Sequence, residues 1–251
     1  MRKGFDLRAG LRGLQSLVFP PVCVHCRGIV PDDGGVGPPF RYLCPRCVAE
    51  IVFVRGPACL CCGHPFAGVV EGERTCPHCL GLVPAFTEGR TATLFKGPVR
   101  SLVLELKYHN GTYLGADFAE IFRRVPGVVA WVRGAVLLPV PLHPSKERRR
   151  GYNQSRVLAH ALARAVGPGT EIAELLRRQI DTPSQTAFDR RTRLANLKNA
   201  FALAPRVTLN PSRRFILIDD VFTTGSTLNH CARVLRARGC VNVDVLTLAH
   251  G

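Results

Sequence analysis

The sequence predicts an α/β protein: a mainly parallel sheet with helices on both faces, preceded by a small domain stapled by metal. Three observations carry this. Four Cys-x-x-Cys pairs crowd between Cys23 and Cys79. After Gly81-Leu-Val-Pro84, apolar strands alternate with amphipathic helices, as in a parallel sheet. The apolar strand Phe215–Ile218 ends in Asp219 and Asp220, then a Thr/Gly/Ser loop and a helix. Ligands of open α/β sheets bind at such strand ends.

In residues 1–19, Phe5, Leu7, Leu11, Leu14 and Val18 nearly follow helical spacing, with Arg2, Lys3, Arg8 and Arg12 elsewhere. This predicts an amphipathic helix packed on the protein, with contact to a membrane surface as the alternative. No apolar run reaches the roughly 18 residues needed to cross a bilayer. Met1–Phe19 lacks a continuous apolar core and a small-residue cleavage site, which argues against a signal peptide. The expected location is the cytoplasm, with the inner face of the membrane as a variant of it.

Residues 20–83 are expected to form a double zinc ribbon. The pairs Cys23/Cys26, Cys44/Cys47, Cys59/Cys62 and Cys76/Cys79 supply eight soft ligands, enough for two tetrahedral zinc ions. Without an export signal, metal ligation explains them better than disulfides. Gly- and Pro-rich intervening sequence cannot build a core of its own and needs such a staple. Pairing neighbours in sequence assigns Cys23, Cys26, Cys44 and Cys47 to one site and Cys59, Cys62, Cys76 and Cys79 to the other. Interleaved pairing and a single surviving site are the alternatives. Four thiolates leave zinc no open position, so its role is structural. Cys61 reads as a spare thiol, and His25, His64 and His78 as partners of nearby carbonyls. Cys231 and Cys240 read as small core residues.

Residues 84–251 read as a strand near Arg90–Phe95, helices at Pro98–Lys107 and Gly115–Arg124, a buried strand Val136–Val140 and a helix Gln154–Ala165. A Pro- and Arg-rich loop covers Thr182–Asn199. The strand Phe215–Ile218, a helix Thr227–Arg238 and a strand Val241–Leu248 complete the chain. There is no repeat beyond the doubled cysteine pattern. The chain carries a net charge of +16, of which residues 84–251 hold +13. Such a surplus attracts a pyrophosphate or a nucleic-acid backbone, or is plain solvated surface.

The loop after Asp220 suits a sugar phosphate. Backbone N–H groups and hydroxyls of Thr223, Thr224, Gly225, Ser226 and Thr227, at the positive end of a helix, can wrap a phosphate. Asp219 and Asp220 can accept from ribose hydroxyls or sit near a magnesium ion. A bare helix cap needs one Ser or Thr and explains neither the paired Asp nor the whole run. Lys146, Arg148, Arg149 and Arg150, at the exit of Val136–Val140 and ahead of a helix, would form an electropositive pocket; a solvated basic loop is the alternative. No Ser-His-Asp set, acid/base carboxylate pair or Walker loop stands out, so any chemistry would depend on positioning.

Ile218-Asp-Asp-Val221-Phe222-Thr-Thr-Gly-Ser-Thr227 resembles the phosphoribosyl-pyrophosphate (PRPP) loop of type I phosphoribosyltransferases. Pro139-Val-Pro-Leu-His-Pro144, with Arg149-Arg150-Gly151-Tyr152-Asn153-Gln154, is similar to the ComF family of competence proteins. So are Leu106-Lys107-Tyr108 and the hood-like stretch with Asp181-Thr-Pro-Ser-Gln185, Arg190, Arg193 and Asn196. The likeness runs from Leu17 to Ala249. It departs at Tyr152, where Phe is usual, at Ala187 and Phe188 for Gly and Leu, and at Leu194 for Arg.

The resemblance implies a type I phosphoribosyltransferase-like fold over residues 84–251. It implies Asp219 and Asp220 at the ribose, Val221–Thr227 around the 5′-phosphate, and Lys146, Arg148–Gly151, Asn153 and Gln154 at the pyrophosphate. Lys107, Tyr108, Gln185, Arg190 and Arg193 become candidates for the hood and the acceptor side. It also implies magnesium with PRPP, a role in DNA uptake, single-stranded DNA, and a helicase-like competence partner. The alternative is an active Mg2+-dependent phosphoribosyltransferase of nucleotide metabolism, with an unknown acceptor and no DNA role.

Overall fold

The computed structural model describes residues 20–31, 40–66, 68, 72, 74–79, 81–180 and 200–251. The stretch 1–19, expected to be an amphipathic helix, and the hood candidates Gln185, Arg190 and Arg193 lie outside the described residues. Among the described residues there are seven strands: β1 (Gly89–Leu94), β2 (Val136–Pro139), β3 (Glu171–Ile172), β4 (Leu176–Arg178), β5 (Phe201–Leu203), β6 (Arg214–Phe222) and β7 (Asn242–His250). The helices are α1 (Pro45–Ala49), α2 (Gly97–Tyr108), α3 (Gly115–Arg124), α4 (Val128–Val132), α5 (Pro144–Arg150), α6 (Gln154–Val166) and α7 (Ser226–Arg236).

Five strands form one parallel sheet in the order β1-β7-β6-β2-β3, while β4 and β5 pair antiparallel beside it. Residues 52–54 add an antiparallel rung to the edge strand β1, through Val54 N–H to Ala92 O and Leu94 N–H to Val52 O, both 3.0 Å. This covers an edge that would otherwise present unpaired backbone groups.

Alternation along the strands sends successive side chains to opposite faces. Ile216, Ile218, Leu246 and Leu248 pack under α2, α3, α4 and α6. Phe215, Leu217, Val243 and Val245 pack under α7 and the β4–β5 ribbon. The α/β class with helices on both faces, expected from the sequence, is the class observed.

Several elements differ from the sequence reading. The strand read as Phe215–Ile218 runs on to Phe222, because Val221 and Phe222 continue in register with Ala249 and His250 of β7. The basic stretch read as a loop contains the helix α5. The short elements α4, β3, β4 and β5 were not anticipated.

The cysteine-rich segments do not stand apart from the sheet. Val24, Val30, Phe40, Leu43 and Ile51 share the core of the α2/α3 face. Cys59, Cys62, Cys76 and Cys79 share the core of the α7 face. The first is tied down by Asp117 in the first turn of α3, whose carboxylate accepts from the N–H groups of Arg41 at 3.0 Å and Tyr42 at 2.8 Å.

β2 leads through α6 to β3 on one side, and β6 leads through α7 to β7 on the other. The strand order therefore reverses between β2 and β6, which makes their C-terminal ends the place where an open α/β sheet binds its ligand.

Candidate functional site

The two cysteine groups have one design. In each, a tight turn supplies two thiols: Arg27 N–H to Cys23 O at 2.9 Å in the first, Gly63 N–H to Cys59 O at 2.7 Å in the second. The residue after the turn is left-handed in both, Arg27 (φ 63°) and Gly63 (φ 72°). A helical turn opening on Pro supplies the other two thiols, Pro45 after Cys44 and Pro77 after Cys76; Pro suits that first helical position.

The ligand atoms of Cys23, Cys26, Cys44 and Cys47 lie within 4.8 Å of one another, and so do those of Cys59, Cys62, Cys76 and Cys79. Cys26 and Cys44 sulfurs are 3.6 Å apart, and Cys62 and Cys76 sulfurs 3.5 Å. A tetrahedron with Zn–S bonds of about 2.3 Å has edges of about 3.8 Å, so both groups fit zinc in the sequential pairing. Backbone N–H groups of His64 and Cys76 point at the sulfurs of Cys62 (3.4 Å) and Cys59 (3.3 Å).

Cys61 is buried beside the second group and is not part of it. His25 bonds the Ser101 hydroxyl at 2.9 Å rather than a carbonyl. The ring of His64 packs on His250. The side chain of His78 lies outside the described residues. Cys231 and Cys240 are buried, as core residues should be.

At the sheet's switch point, Asp219 and Asp220 sit within β6 rather than at its end. Ser155, in the first turn of α6, donates its hydroxyl to Asp219 Oδ1 at 2.9 Å, and Asp220 N–H donates to the same oxygen at 3.0 Å. Burial, and then the charge of Asp220, push Asp219 up to about 7, against the pull of Lys107 and these two donors. Lys107, near the end of α2, reaches Asp220 Oδ1 at 2.7 Å. Asp220 Oδ2 is buried and has no hydrogen-bond partner among the described residues. A hard cation takes oxygen donors, so this oxygen fits a magnesium ion, and equally a ribose hydroxyl.

Beyond the acids, Thr223, Thr224, Gly225, Ser226 and Thr227 line a concavity at the start of α7, together with Asp219, Val221 and Phe222. Thr224 and Ser226 hydroxyls meet at 2.9 Å. The first N–H groups of a helix lack intrahelical partners and remain available to an anion. Gly225 caps α7 with φ 70°, a conformation in which a side chain is strained.

Lys107, Tyr108, Asn110, Lys146, Arg149 and Arg150 line a second cavity of about 270 Å³. The expected pyrophosphate residues divide. Lys146, Arg149 and Arg150 face this cavity, whereas Arg148 is not among its lining residues. Gly151 ends α5. Asn153 caps α6, accepting from Ser155 N–H at 3.0 Å and donating to Val140 O at 3.0 Å. Gln154 accepts from Arg150. Lys107 and Tyr108, expected on the acceptor side, join the basic cavity, and Lys107 links it to the acids.

Sequence reasoning did not single out Ser155 or Asn110. The Asn-x-Ser spacing at a helix start would have flagged Ser155 as a first-turn hydroxyl.

A double zinc ribbon domain family matches residues 14–80. Competence protein F of Haemophilus influenzae is 29% identical over 90% of this chain and 96% of its own length. DNA utilization protein YhgH of Salmonella typhimurium is 30% identical over 92% of this chain and 98% of its own. Competence protein ComFC of Bacillus subtilis is 24% identical over 84% and 85%. Among solved structures, an allosteric regulatory enzyme of purine biosynthesis overlaps 57% of this chain and 29% of its own, with a TM-score of 0.35 and 16% identity. An overlap so slight carries no weight.

Proposed function

Since this chain belongs to the ComF family of competence and DNA-utilization proteins, we propose that it acts in the handling of incoming DNA and that its α/β domain binds PRPP with magnesium. The observation that carries the ligand is the convergence, at one switch point, of the acid pair Asp219/Asp220, the loop Thr223–Thr227 and the cavity of Lys107, Lys146, Arg149 and Arg150. Such a site has an acidic middle for the ribose hydroxyls, N–H groups for the 5′-phosphate on one side and cations for the pyrophosphate on the other.

Magnesium, when bound, neutralises the pyrophosphate and eases its departure. The chain's own contribution is binding and orientation. The loop fixes the 5′ end, and Asp219 and Asp220 accept from the ribose hydroxyls. Lys146, Arg149 and Arg150 hold the pyrophosphate, so that its oxygen leaves C1 with the bonding pair as an acceptor's lone pair forms the new bond.

A single-stranded nucleic-acid surface is the second reading, and one observation favours it. Tyr108 is exposed and lines the basic cavity, Tyr113 is exposed and donates to Glu105 of α2 at 2.9 Å, Tyr42 packs edge-on to Tyr113 at 4.6 Å, and Tyr152 donates to Leu106 O. All four tyrosines of the chain thus gather round the end of α2. Basic grooves with exposed aromatics are how single strands are held.

The double variant Asp219→Asn/Asp220→Asn tests the separation of the two readings. It is expected to lose PRPP binding in calorimetry while retaining a fluorescent oligonucleotide in anisotropy. Loss of both in a folded variant would show that one site serves both ligands.

A further inference from the structure

The second cysteine group does more than close a loop, because its packing continues into the phosphate loop. Gly225 leaves no room for a side chain: a Cβ there would lie 2.5 Å from Phe222 Cζ and 3.1 Å from Leu82 Cδ2. Both neighbours lead back to cysteines. Leu82 N–H donates to Cys79 O at 3.0 Å. The Phe222 ring stacks on His250 at 5.5 Å and 13°. The His250 ring meets His64 edge-on at 4.7 Å, and His64 N–H points at the Cys62 sulfur.

Two further contacts hold this module against the sheet. A Cβ on Gly63 would come within 2.4 Å of Thr91 N, and the Thr91 hydroxyl donates to Cys62 O at 2.8 Å. The segment after Leu82 is gripped by Asn229 of α7, which accepts from Ala85 N–H at 2.6 Å and donates to Val83 O at 3.0 Å. Arg236 of the same helix donates to Ala85 O at 2.8 Å. The helix whose N-terminus forms the phosphate loop is therefore fastened, through Asn229 and Arg236, to the segment that leaves the cysteine module. The first module packs on the opposite face of the sheet.

We propose that the second four-cysteine module positions the phosphate loop, with Leu82, His64, His250 and Phe222 as positioning residues, so that the affinity for a phosphomonoester depends on the packing of that module against Gly225 and Phe222. The proposal rests on reading Thr223–Thr227 as a phosphate cradle. The physical basis is preorganisation. Four thiols drawn together in a buried group repel once ionised, and a cation that binds them fixes both the turn and the helical turn. Loop amides held in one arrangement need no ordering when the anion arrives.

The test uses the full zinc-loaded chain with Leu82→Ala, His64→Ala and the conservative His64→Phe. Zinc per chain is counted by mass spectrometry, hydrogen exchange is followed in peptides covering Phe222–Leu228, and ribose 5-phosphate is titrated as the probe. Leu82→Ala leaves every ligand and every knuckle bond in place, so it covers the case in which His64→Ala sheds zinc. Both alanine variants are expected to exchange faster in the loop and to bind ribose 5-phosphate about tenfold more weakly with two zinc ions retained. His64→Phe, which keeps a ring against His250, is expected to restore both. Unchanged loop exchange and unchanged affinity in zinc-replete Leu82→Ala would overturn the proposal. Faster exchange in the variants, with no ribose 5-phosphate bound even by the wild type, would overturn the phosphate reading instead.

Discussion

Asp219 is an acid whose state the fold alters. Desolvated within β6 and set beside another carboxylate, it has a pKa raised from the ordinary 3.8 to about 7. Between those two values the folded protein keeps a proton that the unfolded chain has released, so stability falls as pH rises through that window. Asp219→Asn is expected to flatten this dependence in denaturant unfolding at pH 4 to 8. Lys107 is the counterpart. Its ion pair with Asp220 is largely buried, and removing one partner of such a pair costs about 3–5 kcal/mol. Lys107→Met is expected to lose stability of that order, and Lys107→Met/Asp220→Asn to recover most of it in a double-mutant cycle. The two acids were legible in the sequence because adjacent carboxylates at an apolar strand have few structural uses. Ser155 was not, since its importance comes from a contact 64 residues away.

Among the elements, β6 and the helix after it were read from hydrophobic pattern, and only the length of the strand was underestimated. Its last residues are fixed by the ladder with β7, a non-local term. The helix α5 escaped because it buries none of its residues, so it has no apolar period to detect. Its punctuation was nevertheless present: Pro144 at the first position, and Gly151 in the left-handed conformation after the last. The two zinc ribbons were legible from cysteine spacing. Which face of the sheet each would cover was not, because spacing says nothing of long-range packing. Sequential pairing makes a direct prediction. Cys44→Ser and Cys76→Ser are each expected to lose one of two zinc ions by native mass spectrometry, and the double variant both; interleaved sites would break this correspondence.

On the scale of the whole molecule, charge and aromatic residues that are scattered in the sequence converge in space. Four tyrosines in 251 residues are a thin supply for base stacking. Folding sets Tyr108 beside Lys107, Lys146, Arg149 and Arg150 and ties Tyr113 and Tyr152 to the same helix through Glu105 and Leu106, which no composition could reveal. Arg149→Glu is expected to weaken oligonucleotide binding and to shrink its salt dependence, by about 0.7 in the log–log slope for each phosphate left without its cation. Tyr108→Ala is expected to weaken binding without changing that slope. Among the described residues, no helix is long and apolar enough to cross a membrane.

The central claim, a PRPP site built on Asp219, Asp220 and Thr223–Thr227, is tested most directly by calorimetric titration of the zinc-loaded protein with PRPP and Mg2+, beside Asp219→Asn. Saturable binding by the wild type, lost in a variant that still unfolds cooperatively, is the predicted result. A wild type that takes up no PRPP, or a variant that binds it equally well, would contradict the account.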